Sequence, residues 1–297
     1  MKALSNIAKK INRVKIVEVG ARDGLQNEKV LSVNQRVKFI NKLTECGFQQ
    51  IEAGSIVKLK SMSNSDQVFR TINKRNNIEY PLLVLNNKGA EIAGELKAKY
   101  ISLGVSPSNE FCKKNMGKNL ELVVDEVKKI MNTANKFNMQ VRGYISTIAV
   151  CPYEGEIDPE RVSDLTELLL EMGCYEVSLG DTIGKADNQK MENLLSNLKD
   201  RNIPMNKLAG HYHDTFDYAL DNVRLSLEYG ISTFDSSIAG LGGCPFAPGA
   251  SGNLGTQKLV KFLEDHQIKT NLNNSKINET SDYICDLLER DKYEILI

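Results

Sequence analysis

The sequence has no apolar run that approaches the ~20 residues needed to cross a bilayer, because its apolar stretches are short and interrupted by charge. It also has no excess of either charge, since 38 Lys and Arg balance 38 Asp and Glu over 297 residues. No dense basic block is present, whereas a nucleic-acid surface needs Lys and Arg concentrated on one face. We therefore expect neither a membrane protein nor a nucleic-acid-binding protein.

The sequence also lacks paired cysteines. Its six cysteines form no CxxC motif, and the chain is too long to need disulfide staples, so free thiols and a cytoplasmic location are expected. The first fifteen residues are basic and lack acids, as in a transit peptide, but they are short and have no clear cleavage pattern. A plain N-terminal segment is the favoured interpretation. The cysteines are Cys46, Cys112, Cys151, Cys174, Cys244 and Cys285.

Short runs of β-forming residues alternate with longer segments of helical period along most of the chain. The predicted strands are Lys15 to Val19, Gln50 to Ala53, Pro81 to Asn86, Tyr100 to Gly104, Gln140 to Ser146, Tyr175 to Gly180, Leu208 to His213 and Thr233 to Ala239. The predicted helices are Asn34 to Cys46, Ser65 to Lys74, Lys88 to Leu96, Asn119 to Phe137, Asp158 to Met172, Gln189 to Asp200, Phe216 to Tyr229 and Leu254 to Asp265.

Eight strand–helix units in about 250 residues predict an α/β fold of the (β/α)₈ TIM-barrel type, with an open doubly wound sheet as the alternative. The polar stretch Lys269 to Thr280 and a helical pattern near Asp282 to Arg290 predict a short C-terminal helical extension. We thus expect a barrel domain over residues 1–268 and an extension over residues 269–297.

A TIM barrel places its active site at the carboxyl ends of its strands, which makes polar residues there candidates. His211 and His213 are two of only three histidines, and positions i and i+2 of a strand face the same side. Together with the carboxylate of Asp23 and the amide of Asn253 they form a mixed nitrogen and oxygen donor set. Such a set favours Mg²⁺ or Mn²⁺, with Zn²⁺ possible.

Arg22 precedes Asp23 between two glycines, Gly20 and Gly24, which would let the backbone turn at the end of the first strand. A dipeptide of this kind is often only a surface ion pair. Beside a metal, however, a guanidinium can stabilise an oxyanion or enolate, which suggests carbonyl chemistry.

Cys244 lies in a glycine-rich stretch, residues 240–246, without a dinucleotide-binding or P-loop pattern. The thiol is either a proton donor or nucleophile, or a loop residue of no consequence. Glu52 and Asp181 end strands and are either functional acids or structural acceptors at the barrel rim. Glu18, within a strand, is expected to be an internal ion-pair partner.

The motifs at these positions resemble the 3-hydroxy-3-methylglutaryl-CoA lyase family, a group of metal-dependent barrel enzymes with Claisen-type chemistry. The matching segments are VEVGARDGLQNE at 17–28, RGY at 142–144, CPYEG at 151–155, SLGDTIG at 178–184, HYHDT at 211–215, AGLGGCP at 239–245 and GASGN at 249–253.

The resemblance implies that Asp23, His211, His213 and Asn253 bind the cation and that Arg22 contacts the thioester oxygen. It also implies that Cys244 lies on a loop that closes over the substrate and takes part in proton transfer. Glu52 and Asp181 would be supporting acids of the active site. Two residues depart from the family pattern, Ala21 in place of proline and Phe246 in place of tyrosine, and so does the segment 57–66.

The activity implied is cleavage of an acyl-CoA substrate to acetoacetate and acetyl-CoA, with His211 or Asp23 as the base. The resemblance also suggests a homodimer in leucine degradation or ketone-body metabolism. The nearest rival is a synthase that condenses acetyl-CoA with a 2-oxo acid, which the Cys244 loop and the short extension disfavour. A pyruvate-type aldolase and a non-catalytic acyl-CoA-binding barrel are more distant alternatives.

Overall fold

The computed structural model describes residues 11–57, 59–242, 252–295 and 297. The main-sheet strands are β1 (Lys15–Glu18), β2 in two segments (Gln50–Ile51 and Gly54–Ser55), β3 (Leu82–Leu83), β4 (Tyr100–Val105), β5 (Gln140–Ser146), β6 (Glu176–Asp181), β7 (Leu208–Tyr212) and β8 (Thr233–Ser236). The helices are α1 (Val33–Glu45), α2 (Ser65–Thr71), α3 (Asn87–Glu95), α4 (Asn109–Met116), α5 (Leu120–Lys136), α6 (Pro159–Glu171), α7 (Asn188–Asp200), α8 (Ala219–Tyr229), α9 (Thr256–Asp265) and α10 (Asn274–Leu288).

The main sheet is parallel and curled. Its order runs from the first segment of β2 through β1, β8, β7, β6, β5, β4 and β3 to the second segment of β2. Only Glu52 and Ala53 separate the two segments, and each still bonds to a neighbouring strand. The Glu52 N–H donates to the Glu18 carbonyl at 2.9 Å, and the Ala53 N–H donates to the Pro81 carbonyl at 2.9 Å. The predicted α/β class is confirmed, and the architecture is TIM-barrel-like.

Local hydrogen bonds explain several helix boundaries. Helix α1 starts at a capping box, in which the Ser32 hydroxyl accepts from the Gln35 N–H and the Gln35 side chain accepts from the Ser32 N–H. Asp158 caps α6 by accepting from the Glu160 N–H at 3.0 Å, with Pro159 in the first turn, as the sequence predicts. No helix in the described ranges is long and apolar enough to span a bilayer.

Some predicted ends are shifted, since β3 is Leu82–Leu83 rather than Pro81 to Asn86 and β8 ends at Ser236 rather than Ala239. Beyond such shifts, the structure differs from the sequence prediction at three places. Strand β2 was expected to be continuous over Gln50 to Ala53, but it is interrupted there. Helix α4 was not predicted. It begins where the Ser108 hydroxyl accepts from the Phe111 N–H at 3.0 Å, and it ends at Gly117 in the left-handed region.

The third difference concerns the C-terminal part. Helix α10 begins at Asn274, not near Asp282, because Asn273 caps it by accepting from the Lys276 N–H at 3.1 Å. The predicted polar stretch therefore contains an amphipathic helix that buries Ile277 and Ile284. The N–H of Asn273 also donates to the carbonyl at the end of α1, on Cys46, at 2.8 Å, which fixes where α10 starts on the barrel.

Tyr293 follows α10 and packs against two glycines at the carboxyl ends of the strands. A Cβ at Gly255 would lie 2.1 Å from the Tyr293 hydroxyl, and one at Gly240 would lie 3.0 Å from its ring. Only glycine permits this close approach of the backbone to the ring.

Candidate active site

A single turn of π-helix, Gly20–Gly24, follows β1 and carries Arg22 and Asp23. The N–H groups of residues 22, 23 and 24 all donate to the Val19 carbonyl, at 3.1, 2.8 and 3.2 Å. The flanking glycines are needed for close packing, because a Cβ at Gly20 would lie 2.4 Å from the Glu18 carboxylate and one at Gly24 would lie 2.8 Å from Leu241. Turns of this kind are frequent at functional sites.

Asp23, His211 and His213 form the one group of potential metal ligands found among the described residues. Their ligand atoms all lie within 4.8 Å of one another. His211 is in β7, and His213 lies just past its end, where its backbone pairs with Asn253 in an isolated antiparallel bridge. The two imidazole centroids are 5.5 Å apart, so the i, i+2 spacing does bring both rings to one face.

Asn253 lies against this cluster. Its amide nitrogen donates to Asp23 Oδ2 at 2.8 Å and to the Leu241 carbonyl at 3.3 Å. The amide therefore presents its nitrogen to Asp23, and a half-turn about the Cβ–Cγ bond would present its oxygen to the same position. All four predicted metal ligands are thus adjacent.

The electrostatics of the cluster keep Asp23 ionised and His213 uncharged at neutral pH. Burial opposes ionisation of Asp23, but Arg22 and the histidines lower its pKa to about 2. Burial, assisted by the neighbouring His211, lowers the pKa of His213 to about 4. The buried Nδ1 of His213 has no hydrogen-bond partner among the described residues, which leaves a nitrogen available for a ligand.

Arg22 is held between two carboxylates. Its Nε and Nη2 donate to Glu52 Oε2 at 2.7 and 2.6 Å, and its Nη1 donates to Asp23 Oδ1 at 2.5 Å. Burial opposes the charge, but the two carboxylates outweigh it and raise the pKa of Arg22. The guanidinium carbon lies 5.5 Å from the ring centroid of Tyr144. This cation is therefore fixed in place beside the candidate metal ligands.

Asp235, in β8, was missed by the sequence analysis. Its Oδ2 lies 3.1 Å from His211 Nδ1 and accepts from the Ser178 hydroxyl at 2.9 Å. Arg142 donates to both of its oxygens, at 2.8 and 3.1 Å. Although burial opposes ionisation, Arg142 and His211 lower the pKa of Asp235. A carboxylate on the far nitrogen of a ligating histidine fixes its tautomer and orientation.

Glu52 and Asp181 are not among the described residues that line the cavity. Glu52 is occupied by Arg22 and by the Ser102 hydroxyl, which donates at 2.6 Å. Asp181 accepts from the N–H groups of Lys185 at 3.1 Å and Ala186 at 2.8 Å. Burial raises the pKa of Asp181 to about 6 against these bonds. This geometry favours positioning over contact with a substrate for both acids.

The expectation for Glu18 was wrong. It has no ion pair with any residue that the structure describes, because neutral donors surround it. Its carboxylate accepts from the N–H groups of Gly20 at 2.8 Å and Ile238 at 3.0 Å, and from the Thr256 hydroxyl at 2.9 Å. Burial raises the pKa of Glu18 to about 7. Glu18 therefore ties together the three segments that lead to Asp23, to residue 242 and to Asn253.

Cys244 lies outside the described residues, so its predicted role stays a prediction. The five described cysteines are all free and buried.

A cavity of about 1090 Å³ opens at the carboxyl ends of the strands. One end is lined by Arg22, Asp23, His211, His213 and Tyr144, and the other lies beside α3 and α5. The cavity therefore joins a cationic guanidinium, a set of metal-ligand atoms and an apolar region in one enclosure.

Comparisons with known proteins decide the family. The HMGL-like family model matches residues 13–284. The chain belongs to the HMGL-like family. The human mitochondrial hydroxymethylglutaryl-CoA lyase is 44% identical over 282 residues, which cover 94% of this chain and 86% of that one.

Solved structures of HMGL-like proteins agree with this assignment. The HMG-CoA lyase of Brucella melitensis superposes with a TM-score of 0.91 at 38% identity and covers 94% of this chain and 99% of its own. The lyase of Acinetobacter baumannii, solved with coenzyme A and 3-methylmalate, has a TM-score of 0.89 at 32% identity over 95% of this chain and 93% of its own. The predicted family resemblance is confirmed.

Proposed function

We propose that this chain cleaves 3-hydroxy-3-methylglutaryl-CoA to acetoacetate and acetyl-CoA in a metal-dependent retro-Claisen reaction. The observation that carries the proposal is the placement of Arg22 beside Asp23, His211 and His213 at one end of a single cavity, in a member of the HMGL-like family. The relative solved with coenzyme A supports an acyl-CoA as the substrate.

The residues fit a divalent cation. Asp23 is ionised, His213 is neutral with an unpartnered buried nitrogen, and His211 and Asn253 complete a mixed oxygen and nitrogen set. We assign these four residues to Mg²⁺ or Mn²⁺. A bound cation of this kind would acidify the 3-hydroxyl group of the substrate.

The chain's own residues account for the remaining steps. Asp23 or His211 removes the hydroxyl proton; Nδ1 of His211 faces Asp235 and its Nε2 is the nitrogen left for the cation, which favours the carboxylate of Asp23. The oxygen electrons form the ketone of acetoacetate as the C2–C3 bond breaks, and the bond electrons form the enolate of acetyl-CoA. Arg22 holds the negative charge on the enolate oxygen, since its guanidinium is already fixed by Glu52.

Protonation of the enolate carbon completes acetyl-CoA and prevents the reverse condensation. We assign the proton to Cys244 on the family resemblance alone. Glu52, bonded to Arg22, and Asp181, bonded to the backbone after β6, act as positioning residues in this scheme.

The same proposal covers the organisation of the chain. We assign residues 1–268 to a complete (β/α)₈ catalytic barrel and residues 269–297 to a C-terminal helical extension. Five described free thiols support a reducing compartment such as the cytoplasm. We also propose a homodimer, on the family resemblance alone.

The test is a coupled assay for acetoacetate and acetyl-CoA release from 3-hydroxy-3-methylglutaryl-CoA. We expect cleavage with Mg²⁺ or Mn²⁺, its loss in EDTA and its recovery when the cation is restored. Free CoA released from acetyl-CoA and a 2-oxo acid, without cleavage, would instead establish the synthase alternative. If neither assay gives product while the cation is bound, the proposal is contradicted.

A further inference from the structure

The chain turns back beside α10 once that helix has ended. Residues 289–295, the return segment, run back along the same helix. Lys292 pairs with Asp282 of α10 at 3.4 Å, and the N–H of Tyr293 donates to the Cys285 sulfur. These contacts fix where the return segment lies on α10, and its Tyr293 side chain reaches the carboxyl ends of the strands.

The Tyr293 side chain lies against two backbone segments next to the candidate metal ligands. The three atoms nearest to a Cβ built on Gly255 all belong to this tyrosine, namely its hydroxyl, Cζ at 2.9 Å and Cε1 at 3.5 Å. A Cβ built on Gly240 would lie 3.0 Å from its Cε2. Gly255 has a φ of −66°, which any L-residue adopts, so the tyrosine is the reason that this position stays small.

Both backbone segments bear on the candidate ligand Asn253. Gly255 lies two residues beyond it, and Gly240 precedes Leu241, whose carbonyl accepts from the Asn253 amide at 3.3 Å. Asn253 is outside the regular strands and pairs with His213 in an isolated bridge. The tyrosine ring therefore packs against the backbone that carries this amide and against the backbone that holds it in place.

The barrel holds the segment around Asn253 by its own hydrogen bonds on the side of the sheet. The Leu254 N–H donates to the Tyr212 carbonyl at 3.1 Å, and the Ser237 N–H donates to the Leu254 carbonyl at 3.0 Å. These bonds tie the segment to the ends of β7 and β8. Gly255 has no side chain of its own to pack against α10, and the tyrosine ring takes that place.

We infer that Tyr293 is a positioning residue for the cation site, which acts by holding Asn253 against Asp23. The inference rests on the proposed function. Asp23 and His211 lie in the π-helical turn and within β7, so these elements place them without the return segment. Loss of the tyrosine ring would therefore weaken cation binding through the amide ligand while the other ligands stay in place.

The first experiment compares Mn²⁺ dissociation constants, measured by calorimetry, for the wild type, Tyr293→Ala and Tyr293→Phe. We expect Tyr293→Ala to bind Mn²⁺ about tenfold more weakly, the size of effect found when a group that orients a ligand is removed. Tyr293→Phe should stay within about twofold of the wild type, because it keeps the ring carbons that lie against Gly240 and Gly255.

Tyr283→Ala is the matched control for stability. Tyr283 is half-buried like Tyr293 and belongs to α10, but its ring faces Lys38 and Lys42 of α1, whose Nζ atoms lie 5.0 and 5.3 Å from its centroid. This variant should keep the wild-type Mn²⁺ affinity even where its melting temperature falls as far as that of Tyr293→Ala. An equal loss of affinity in the two variants would make the role of Tyr293 one of general stability and overturn the inference.

Gly255→Ala tests the contact itself. Its Cβ would displace the Tyr293 ring, so we expect a loss of Mn²⁺ affinity similar to that of Tyr293→Ala. The same substitution made in the Tyr293→Ala background should cost no further affinity, because the side chain with which it collides is gone. Independent losses that multiply in the double variant would contradict the inference, since Gly255 would then matter for a reason other than the tyrosine.

Cleavage assays relate Tyr293 to the proposed function. The Mn²⁺ concentration for half-maximal cleavage should rise about tenfold in Tyr293→Ala, with kcat at saturating Mn²⁺ within about twofold of the wild type. A lower kcat at saturating Mn²⁺ with an unchanged dissociation constant would overturn the inference. Weaker Mn²⁺ binding by Tyr293→Ala, together with no cleavage by the wild type, would reject the proposed function and leave the role of Tyr293 established.

Discussion

Asp235 Oδ2 lies 3.1 Å from Nδ1 of His211 and so directs Nε2 of the same ring toward Asp23, whose Oδ2 is 3.9 Å away. The carboxylate that orients this candidate ligand is itself held by Arg142 and Ser178. The geometry of the candidate metal ligands therefore depends on buried residues, Asp235, Arg142 and Ser178, that are not themselves candidate ligands.

Replacement of Asp235 tests this dependence. Asp235→Asn should weaken Mn²⁺ binding about 10- to 100-fold, because the carboxylate that fixes the His211 tautomer is lost. It should also lower the free energy of unfolding by about 2 kcal/mol, since the buried Arg142 loses one of its two carboxylate partners and keeps Glu176. Calorimetry on the folded variants measures the first effect, and Ser178→Ala, which removes one bond to Asp235 and none to His211, is the control. An unchanged Mn²⁺ affinity would mean that Asp235 serves Arg142 alone.

Arg22 is expected to act on the reaction more than on the cation. Arg22→Gln should lower kcat/KM about 10²- to 10³-fold, the effect of losing one preorganised oxyanion partner, with little change in Mn²⁺ affinity. Arg22→Lys, which keeps the charge but loses the two-pronged contact with Glu52, should be intermediate. Equal losses of turnover and metal affinity would make Arg22 structural.

Cys244 is expected to act on turnover alone. Cys244→Ala should reduce kcat by about 10²-fold or more, the contribution of a positioned proton donor, and should leave metal binding intact. Cys174→Ala is the control, because burial raises the pKa of that thiol to about 12 and keeps it protonated. Wild-type turnover in Cys244→Ala would remove the thiol from the mechanism.

Glu18 predicts a pH dependence of stability. Burial raises its folded-state pKa from 4.5 to about 7, so the native state keeps a proton that the unfolded state loses in this range. The stabilisation by Glu18 is thus fully present below pH 4.5 and is lost as the pH rises through about 7. Glu18→Gln mimics the protonated form, since its amide can accept from Gly20 and Ile238 and donate to Thr256.

The unfolding free energy of Glu18→Gln, relative to that of the wild type, should therefore rise by about 2 kcal/mol from pH 5 to pH 8. Urea unfolding at the two pH values gives this difference directly. A constant difference in unfolding free energy across the range would mean that Glu18 is ionised in the native state at pH 5.

Much of the fold could be predicted from the sequence because strands and helices differ in hydrophobic period. The parallel strands β4 and β5 are buried and begin within a residue of their predicted starts, and α6 is marked by Asp158 and Pro159. The interruption of β2 could not be predicted, because its residues still bond to both neighbouring strands. Helix α4 is short and polar, and its caps are its main signal.

The sequence predicts those parts of the candidate site in which the spacing of residues along one strand brings their side chains together, as for His211 and His213. Asp235 was missed because its partners come from three other strands, and no local pattern relates them. A single acid in the short strand β8 was the available signal. Glu18 was wrongly assigned to an ion pair. An acid within a strand suggests a cationic partner, and the neutral groups that donate to Glu18 include Ile238 and Thr256, which are distant in the chain.

The hydrogen bond between Asn253 and Asp23 joins residues 230 positions apart in the chain, next to the seam where β1 pairs with β8. A cation bound by both side chains would link the segments next to β1 and β8, and so hold the first and last strands of the sheet together. Since such binding requires the native arrangement, it would raise the free energy of unfolding of the whole chain, by an amount that grows with the logarithm of the cation concentration above Kd. Loading with Mg²⁺ or Mn²⁺ would therefore raise the melting temperature of the chain and its resistance to proteolysis.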